Sequence, residues 1–317
     1  LKALSNVRCA GGKAGEYDCS GVDLQSFVPL SDLGSNGNGN DIWGWTDESD
    51  GSEWAIFCAV DGTSFVDVTD ATNPNVVAWM PTATTSSTWR DAKVYKDHVY
   101  IVSEASGHGM QVYDLTKLRS LRRKRRRQTI SADVWYTEFG NAHNIVMNED
   151  TGFTYAVGTR TCSGGLHMVD VRDPKNPVFA GCGDVNQGYS HDSQCVVYSG
   201  PDTRYTGREI CFNYNEDKLV ISDVTDKSSP VLVSVSFYED DQYTHQGWLT
   251  EDQTMLLMND ELDELYGSNP HTRTLMWDVR DLRDPQNTGS YYSDTTVIDH
   301  HLYIKGPLGY LSNYCDG

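Results

Sequence analysis

Five times along its length the chain writes one phrase: a short apolar run, then Asp, then Val or Leu, then one residue, and usually a second Asp. The copies are Phe65-Val66-Asp67-Val68-Thr69-Asp70, Val112-Tyr113-Asp114-Leu115, Met168-Val169-Asp170-Val171-Arg172-Asp173, Ile221-Ser222-Asp223-Val224-Thr225-Asp226 and Met276-Trp277-Asp278-Val279-Arg280-Asp281. The lead Asp residues fall at 67, 114, 170, 223 and 278, so the steps are 47, 56, 53 and 55 residues. A strand-like unit of about fifty residues cannot bury its apolar faces alone and needs neighbours stacked on it. The period therefore predicts an all-β blade array. It names no reaction.

Each repeat can be cut into four strands. The third is the clearest, with strands expected over 143–148, 153–158, 165–171 and 178–182, separated by Asn148-Glu149-Asp150-Thr151-Gly152, by Ser163-Gly164 and by Arg172-Asp173-Pro174. First strands are expected near Asp41, Arg90, His143, His191, His245 and His300. That gives a six-bladed β-propeller, a single domain over 1–317, with residues 1–21 as a disulfide-bearing N-terminal segment. Residues 22–33 read as a fourth strand that closes the last blade by pairing N- and C-terminal segments, which would remove open sheet edges. The last blade lacks a third strand, so a continuation past Gly317 is expected, or another element in the gap.

Composition narrows the function. The formal net charge of −20 argues against nucleic acid and anionic membranes as partners, and favours a solvated surface or cation binding. No apolar stretch reaches the roughly 20 residues of a membrane span. No signal peptide is visible before or after Leu1, so the chain reads as a mature or trimmed product. Of eight cysteines, Cys9–Cys19, Cys162–Cys182 and Cys195–Cys211 are spaced for local bridges, which would place the protein outside the cell; buried thiols are the alternative, and Cys58 and Cys315 are left unassigned. No CxxC pair occurs, which argues against a thiolate zinc site.

Residues 119–127 carry seven cations, Arg119, Arg122, Arg123, Lys124, Arg125, Arg126 and Arg127, and read as an exposed basic loop over 119–128. Three readings stand: a solvated loop, a patch for an acidic partner, or a dibasic processing site. Asp260 to Glu264 reads as a solvated acidic loop or a calcium-attracting rim.

The aligned first-strand positions gather four of the nine histidines, His143, His191, His245 and His300, at one place in the repeat. In a propeller these positions line the mouth of a central channel. Asp41, Asp91, Asn144, Asp192 and His301 stand at or beside the same positions and would serve as a surrounding shell, with Arg90 the one cation among them. The ends of the second strands bring Glu104, Asn213, Asp217, Asp260, Glu261 and Asn313 toward the same mouth. Imidazoles ringed by carboxylates suit a divalent cation: zinc, copper, iron or nickel by the imidazoles, manganese or calcium by the oxygens. A plain hydrogen-bonded polar plug is the alternative.

The chain resembles the choice-of-anchor B family of LVIVD-repeat proteins. The resemblance runs over essentially the whole chain, through Asn40-Asp41-Ile42-Trp43-Gly44-Trp45, Trp89-Arg90-Asp91, Val102-Ser103-Glu104-Ala105-Ser106-Gly107-His108-Gly109, Ala142-His143-Asn144, Gly164-Gly165-Leu166-His167, His191-Asp192-Ser193-Gln194-Cys195 and Tyr243-Thr244-His245-Gln246-Gly247-Trp248. It implies a secreted or cell-surface β-propeller, variably anchored, and no settled activity. This chain departs from the pattern in its basic loop and in showing no C-terminal anchor.

Two function classes follow. The first is a binding or scaffold module with a protein or glycan partner at the cell surface or matrix, alone or in a homo- or hetero-assembly. The second is a metal-dependent hydrolase of lactones, esters or phosphoesters, with the histidines as ligands and Asp192, Glu104 or Asp260 as general base. The absence of a Gly-x-Ser-x-Gly elbow or P-loop favours the first.

Overall fold

The lead Asp of every repeated phrase is the last residue of a strand. The five strands are Gly62–Asp67, Met110–Asp114, His167–Asp170, Leu219–Asp223 and Arg273–Asp278. In each case the carboxylate accepts the backbone N–H two residues on, at 3.0–3.1 Å, from Thr69, Thr116, Arg172, Thr225 and Arg280. The second Asp repeats the device: Asp70, Asp173, Asp226 and Asp281 accept from Thr72, Lys175, Ser228 and Arg283 at 2.9–3.1 Å. Asp is used because its short side chain closes a turn on its own backbone. The phrase is thus turn chemistry that ends a third strand.

The computed structural model describes residues 2–183, 186–267 and 269–314, so Cys315 lies outside the described residues. The chain divides into two compact units, Leu1–Asn141 and Ala142–Gly317. Most of each unit is runs of four antiparallel strands that follow in chain order. No helix is long and apolar enough to cross a membrane.

The second unit has three complete sheets. The first is Asn144–Asn148, Phe153–Val157, His167–Asp170 and Val178–Cys182; the second is Asp192–Val197, Glu209–Tyr214, Leu219–Asp223 and Val231–Ser236. The third is Thr244–Leu249, Met255–Asp260, Arg273–Asp278 and Gln286–Tyr292, and a hairpin of Asp299–Lys305 and Leu308–Asn313 follows. Burial falls outward across each sheet. Leu219–Asp223 is buried throughout, whereas Val231–Ser236 is half-exposed and Gln286–Tyr292 largely exposed. Inner strands with both faces covered read as continuous apolar runs, and the core clusters lie there, around Phe212, Ile221, Met258 and Trp277 and around Tyr155, Val157 and Met168.

Beside two two-stranded sheets before residue 28, the first unit carries two large sheets. One is Gly39–Asp47, Ser52–Ala59, Gly62–Asp67 and Asn75–Pro81; the other is Arg90–Tyr95, His98–Ser103, Met110–Asp114 and Val134–Tyr136. Its core gathers Trp45, Trp54, Ile56, Phe65 and Ile101.

Three expectations need correction here. Residues 22–33 are not one closing strand: Leu24–Phe27 pairs antiparallel with Leu4–Val7, and Leu30–Leu33 is a helical turn after Pro29. Among the described residues, Asp299–Lys305 and Leu308–Asn313 form a sheet of their own. The basic segment is not wholly a solvated loop. Leu118–Leu121 is helical, Arg119 makes a two-pronged contact with buried Asp47 (2.6 and 2.8 Å), and Arg122 pairs with Asp67. Gln128–Thr129 then adds in parallel to Asn75–Pro81, covering an outer strand that would otherwise be exposed. Arg123 to Arg127 remain exposed. The acidic run beginning at Asp260 is not a solvated loop either: Asp260 and Asp263 are fully buried, and Arg273 Nε lies 2.5 Å from Asp263 Oδ2.

The three locally spaced cysteine pairs, Cys9–Cys19, Cys162–Cys182 and Cys195–Cys211, are disulfides, while Cys58 is a buried free thiol. Cys195 and Cys211 stand directly opposite one another on adjacent antiparallel strands.

Candidate functional site

Backbone irregularity, more than side-chain choice, places the histidines of the second unit. In the third sheet Thr244 pairs with Asp260 and Gln246 with Asn259, so His245 is the extra residue of a β-bulge. In the terminal hairpin Asp299 pairs with Asn313 and Leu302 with Leu311, which puts His300 and His301 in a second bulge. A bulge leaves its residue out of the regular ladder and re-aims its side chain. His143 and His191 instead sit one residue ahead of their strands, their N–H groups donating to Val157 and Tyr214 carbonyls at 2.9 Å. Gly158 makes room for the first of these: a Cβ there would lie 2.4 Å from His143 Cβ, and its φ of +66° suits glycine alone.

These placements string the imidazoles together. Ring centroids are 4.2 Å apart for His143–His191, 4.4 Å for His191–His245, 4.8 Å for His245–His300 and 4.1 Å for His300–His301. Two groups have potential ligand atoms all within 4.8 Å of one another: His191, His245 and Glu261, and His245, His300 and His301. His143 belongs to neither. His301, expected beside the cluster, is a direct member of it. Glu261 follows Asp260 in sequence and is the carboxylate that reaches the imidazoles.

His245 is fully buried, and neither of its ring nitrogens has a hydrogen-bond partner. Its Nε2 lies 3.6 Å from Glu261 Oε2, beyond hydrogen-bond reach. The other carboxylate oxygen of Glu261 accepts from Tyr314 OH at 2.9 Å. His191 Nδ1 is 3.0 Å from the His245 carbonyl; as a donor there it leaves Nε2 as the ligating nitrogen. Burial, reinforced by the neighbouring imidazoles, pushes His191 and His245 well below the ordinary histidine value, and His300 down to about 4. These three imidazoles are therefore neutral at physiological pH, the state in which imidazole binds metals. Burial also raises the Glu261 carboxyl.

Side-chain amides brace the cluster from behind. Gln246 Nε2 donates to Leu302 O and Gln246 Oε1 accepts Leu302 N–H, both at 2.9 Å, and Asn259 donates to the His300 carbonyl. Gln194 Oε1 accepts the Leu249 N–H at 2.8 Å.

The other candidates have their own settings. Asp260 has both oxygens engaged, by Tyr238 OH and the Gln242 N–H at 2.8 Å and by the Tyr243 N–H at 2.7 Å, so it holds a loop and is not free to act as a base. Asp192 is buried at the head of its strand and accepts the Ser193 N–H at 2.7 Å. Asn144 is buried at the head of the preceding sheet. Asp41, Asp91, Arg90 and Glu104 belong to the first unit. There Asp91 lies 2.6 Å from Lys93 Nζ, and burial together with Asp91 raises the Asp41 carboxyl. Arg90 is fully buried and donates to Ala59 O and His108 Nε2 at 2.9 Å. Glu104 follows His98–Ser103, with its N–H on Trp89 O at 3.2 Å. Asp299 was not foreseen: it is fully buried at the start of the bulged strand, and neither carboxylate oxygen has a partner.

No family model matches the chain, and no curated protein matches it in sequence. Solved structures do resemble it in fold. A protein from Lactobacillus plantarum is 15% identical with a TM-score of 0.55, over 80% of this chain and 71% of its own. The Cps50 (Swd1) beta-propeller domain of Myceliophteria thermophila is 10% identical with a TM-score of 0.53, over 88% and 81%. A chain of the COPII outer coat vertex on membranes is 11% identical with a TM-score of 0.51, over 84% and 64%. The sheets and these likenesses define an all-β protein of β-propeller type.

Proposed function

We propose that this chain is a six-bladed β-propeller of the choice-of-anchor B, LVIVD-repeat type. It works outside the cell as a binding or scaffold module that carries a divalent metal ion in its histidine cluster. Six first strands at near-regular spacing support the blade count. Three disulfides support an oxidising compartment. The observation that carries the metal site is His245, a fully buried imidazole with two unpartnered nitrogens among four other histidines. Buried polar nitrogens without partners are rare in stable proteins, and a metal ion is a partner that such a nitrogen can take.

Four imidazoles and one carboxylate favour zinc or another borderline-soft ion over calcium, which prefers all-oxygen cages of six to eight donors. The module reading is preferred to the hydrolase reading because Asp260, a candidate base, is locked in hydrogen bonds. The exposed outer strands, with Val231, Leu232, Tyr291 and Tyr292, offer area to a protein or glycan partner. Metal analysis of the protein purified without chelators, followed by zinc titration of the stripped protein, tests the site. Retained metal that is lost in His245→Ala and His191→Ala supports it. Stripped wild type that takes up no zinc, copper or manganese at micromolar concentration overturns it.

A further inference from the structure

We infer that the cluster is a two-metal centre in which His245 bridges the ions, one nitrogen to each. This rests on the metal site proposed above and goes beyond it in number, geometry and chemistry. The first ion takes His191 Nε2, His245 Nε2 and Glu261 Oε2; the second takes His245 Nδ1, His300 and His301.

Three observations carry the inference. His245 is the only residue common to the two groups of convergent donors among the described residues. Both of its nitrogens are buried without partners, so a single ion would satisfy one and leave the other orphaned. The distance from His245 Nε2 to Glu261 Oε2 is 3.6 Å. Two donors about 2.1 Å from one ion at tetrahedral to trigonal angles stand about 3.4–3.6 Å apart. The pair is therefore spaced for a shared ion and too far apart for a hydrogen bond.

Asp299, the residue before His300, is a further orphan at the same bulge: it is fully buried and neither carboxylate oxygen has a partner.

Charge and protons balance as follows. When the second ion binds, His245 loses its ring N–H proton to water and becomes an imidazolate with a metal on each nitrogen. Each ion then has three protein donors and an open position, the arrangement of reactive rather than purely structural zinc sites. Across the ring the ions would stand about 6 Å apart, from two bonds of about 2.1 Å. That exceeds the ~3.5–4 Å over which paired ions clamp one reacting oxygen. The centre is thus fitted to hold two separate small ligands, or to couple two redox ions, more than to hydrolyse a phosphoester by a two-metal route.

Stoichiometry and spin test it on the whole chain. Stripped protein loaded with Cu(II) and freed of excess metal should hold two copper ions per chain. The imidazolate should couple their spins, so that the integrated EPR signal falls clearly below the copper content. His301→Ala and Glu261→Gln should each hold one copper with its full EPR intensity. One copper in wild type, or two with full uncoupled intensity, overturns the bridge while leaving a metal site in place. No bound copper removes the site and the bridge together. The wild-type EPR reading stands whether or not a variant folds.

Discussion

Lys227 Nζ lies 2.6 Å from Glu209 Oε2, and both side chains are buried. The carboxylate also accepts from Asn148 at 2.7 Å, from Thr151 at 2.8 Å and from the Tyr155 hydroxyl, while Lys227 donates to Val224 O at 2.8 Å. Glu209, neutralised by Lys227 from its own sheet, thus ties that sheet to the Asn144–Val157 hairpin of the neighbouring one. Removing one partner strands a buried charge, so Lys227→Met should lose about 3–5 kcal/mol. Urea unfolding checks this, and the double variant with Glu209→Gln should recover part of the loss.

Gln246 is the brace whose loss should disable the histidines without touching a ligand. Its reciprocal bonds to Leu302 hold the bulge that presents His300 and His301. Gln246→Ala should lower zinc affinity about 10–100-fold, as for other residues that orient ligands, with a stability loss of about 1–3 kcal/mol. Calorimetric titration beside urea unfolding separates the two effects.

Acid should weaken the first unit through His108. Arg90 donates to its Nε2 and its Nδ1 lies 2.9 Å from Gly109 O, so the ring is held neutral; burial first, then the arginine charge, lowers it to about 4. The unfolded chain keeps a value near 6.5 and takes up the proton first. This contribution is therefore complete above about pH 6.5 and is lost as pH falls toward about 4, with a slope of up to about 1.4 kcal/mol per pH unit. His108→Gln should flatten that slope by about one proton in unfolding curves taken between those limits. His167 in the second unit, also lowered to about 4 by burial, should behave alike.

Cys58 should be silent until the first unit unfolds. It is fully buried, and burial pushes its thiol up, so little reactive thiolate exists. Iodoacetamide should leave the Cys58 peptide unmodified in native protein and label it fully in denaturant, by peptide mass spectrometry. Fast native labelling would contradict the packing around it.

The repeat was legible because it is local chemistry. Asp67, Asp114, Asp170, Asp223 and Asp278 end strands by bonding their own backbone two residues on, and such a device leaves a fixed spacing in sequence. The strand heads near His191 and His245 were legible for the same reason. The bulges were not. An extra residue at His245 or at His300 and His301 looks like any other strand residue, yet it decides which imidazoles converge. For that reason Asp260 and Glu261, adjacent in sequence and both expected at the mouth, part company: Glu261 meets His245, while Asp260 holds Tyr238 and a loop. The reach of Arg119 to Asp47 was hidden too, because a run of cations in sequence does not reveal which of them find buried acids.

In the first unit, the insertion between Met110–Asp114 and Val134–Tyr136 leaves and re-enters at nearly one point. Asp114 closes its turn within two residues, the Asp114 N–H donates to Asp133 Oδ2 at 2.8 Å, and the Asp133 N–H donates to Val112 O at 2.8 Å. Ends clasped this closely make the intervening length cheap to vary, since loop-closure cost grows only slowly with loop size. Within it the exposed run Arg123 to Arg127 is a natural port: a peptide tag, an affinity epitope or a foreign loop could stand there while Arg119, Arg122 and Gln128–Thr129 keep their contacts.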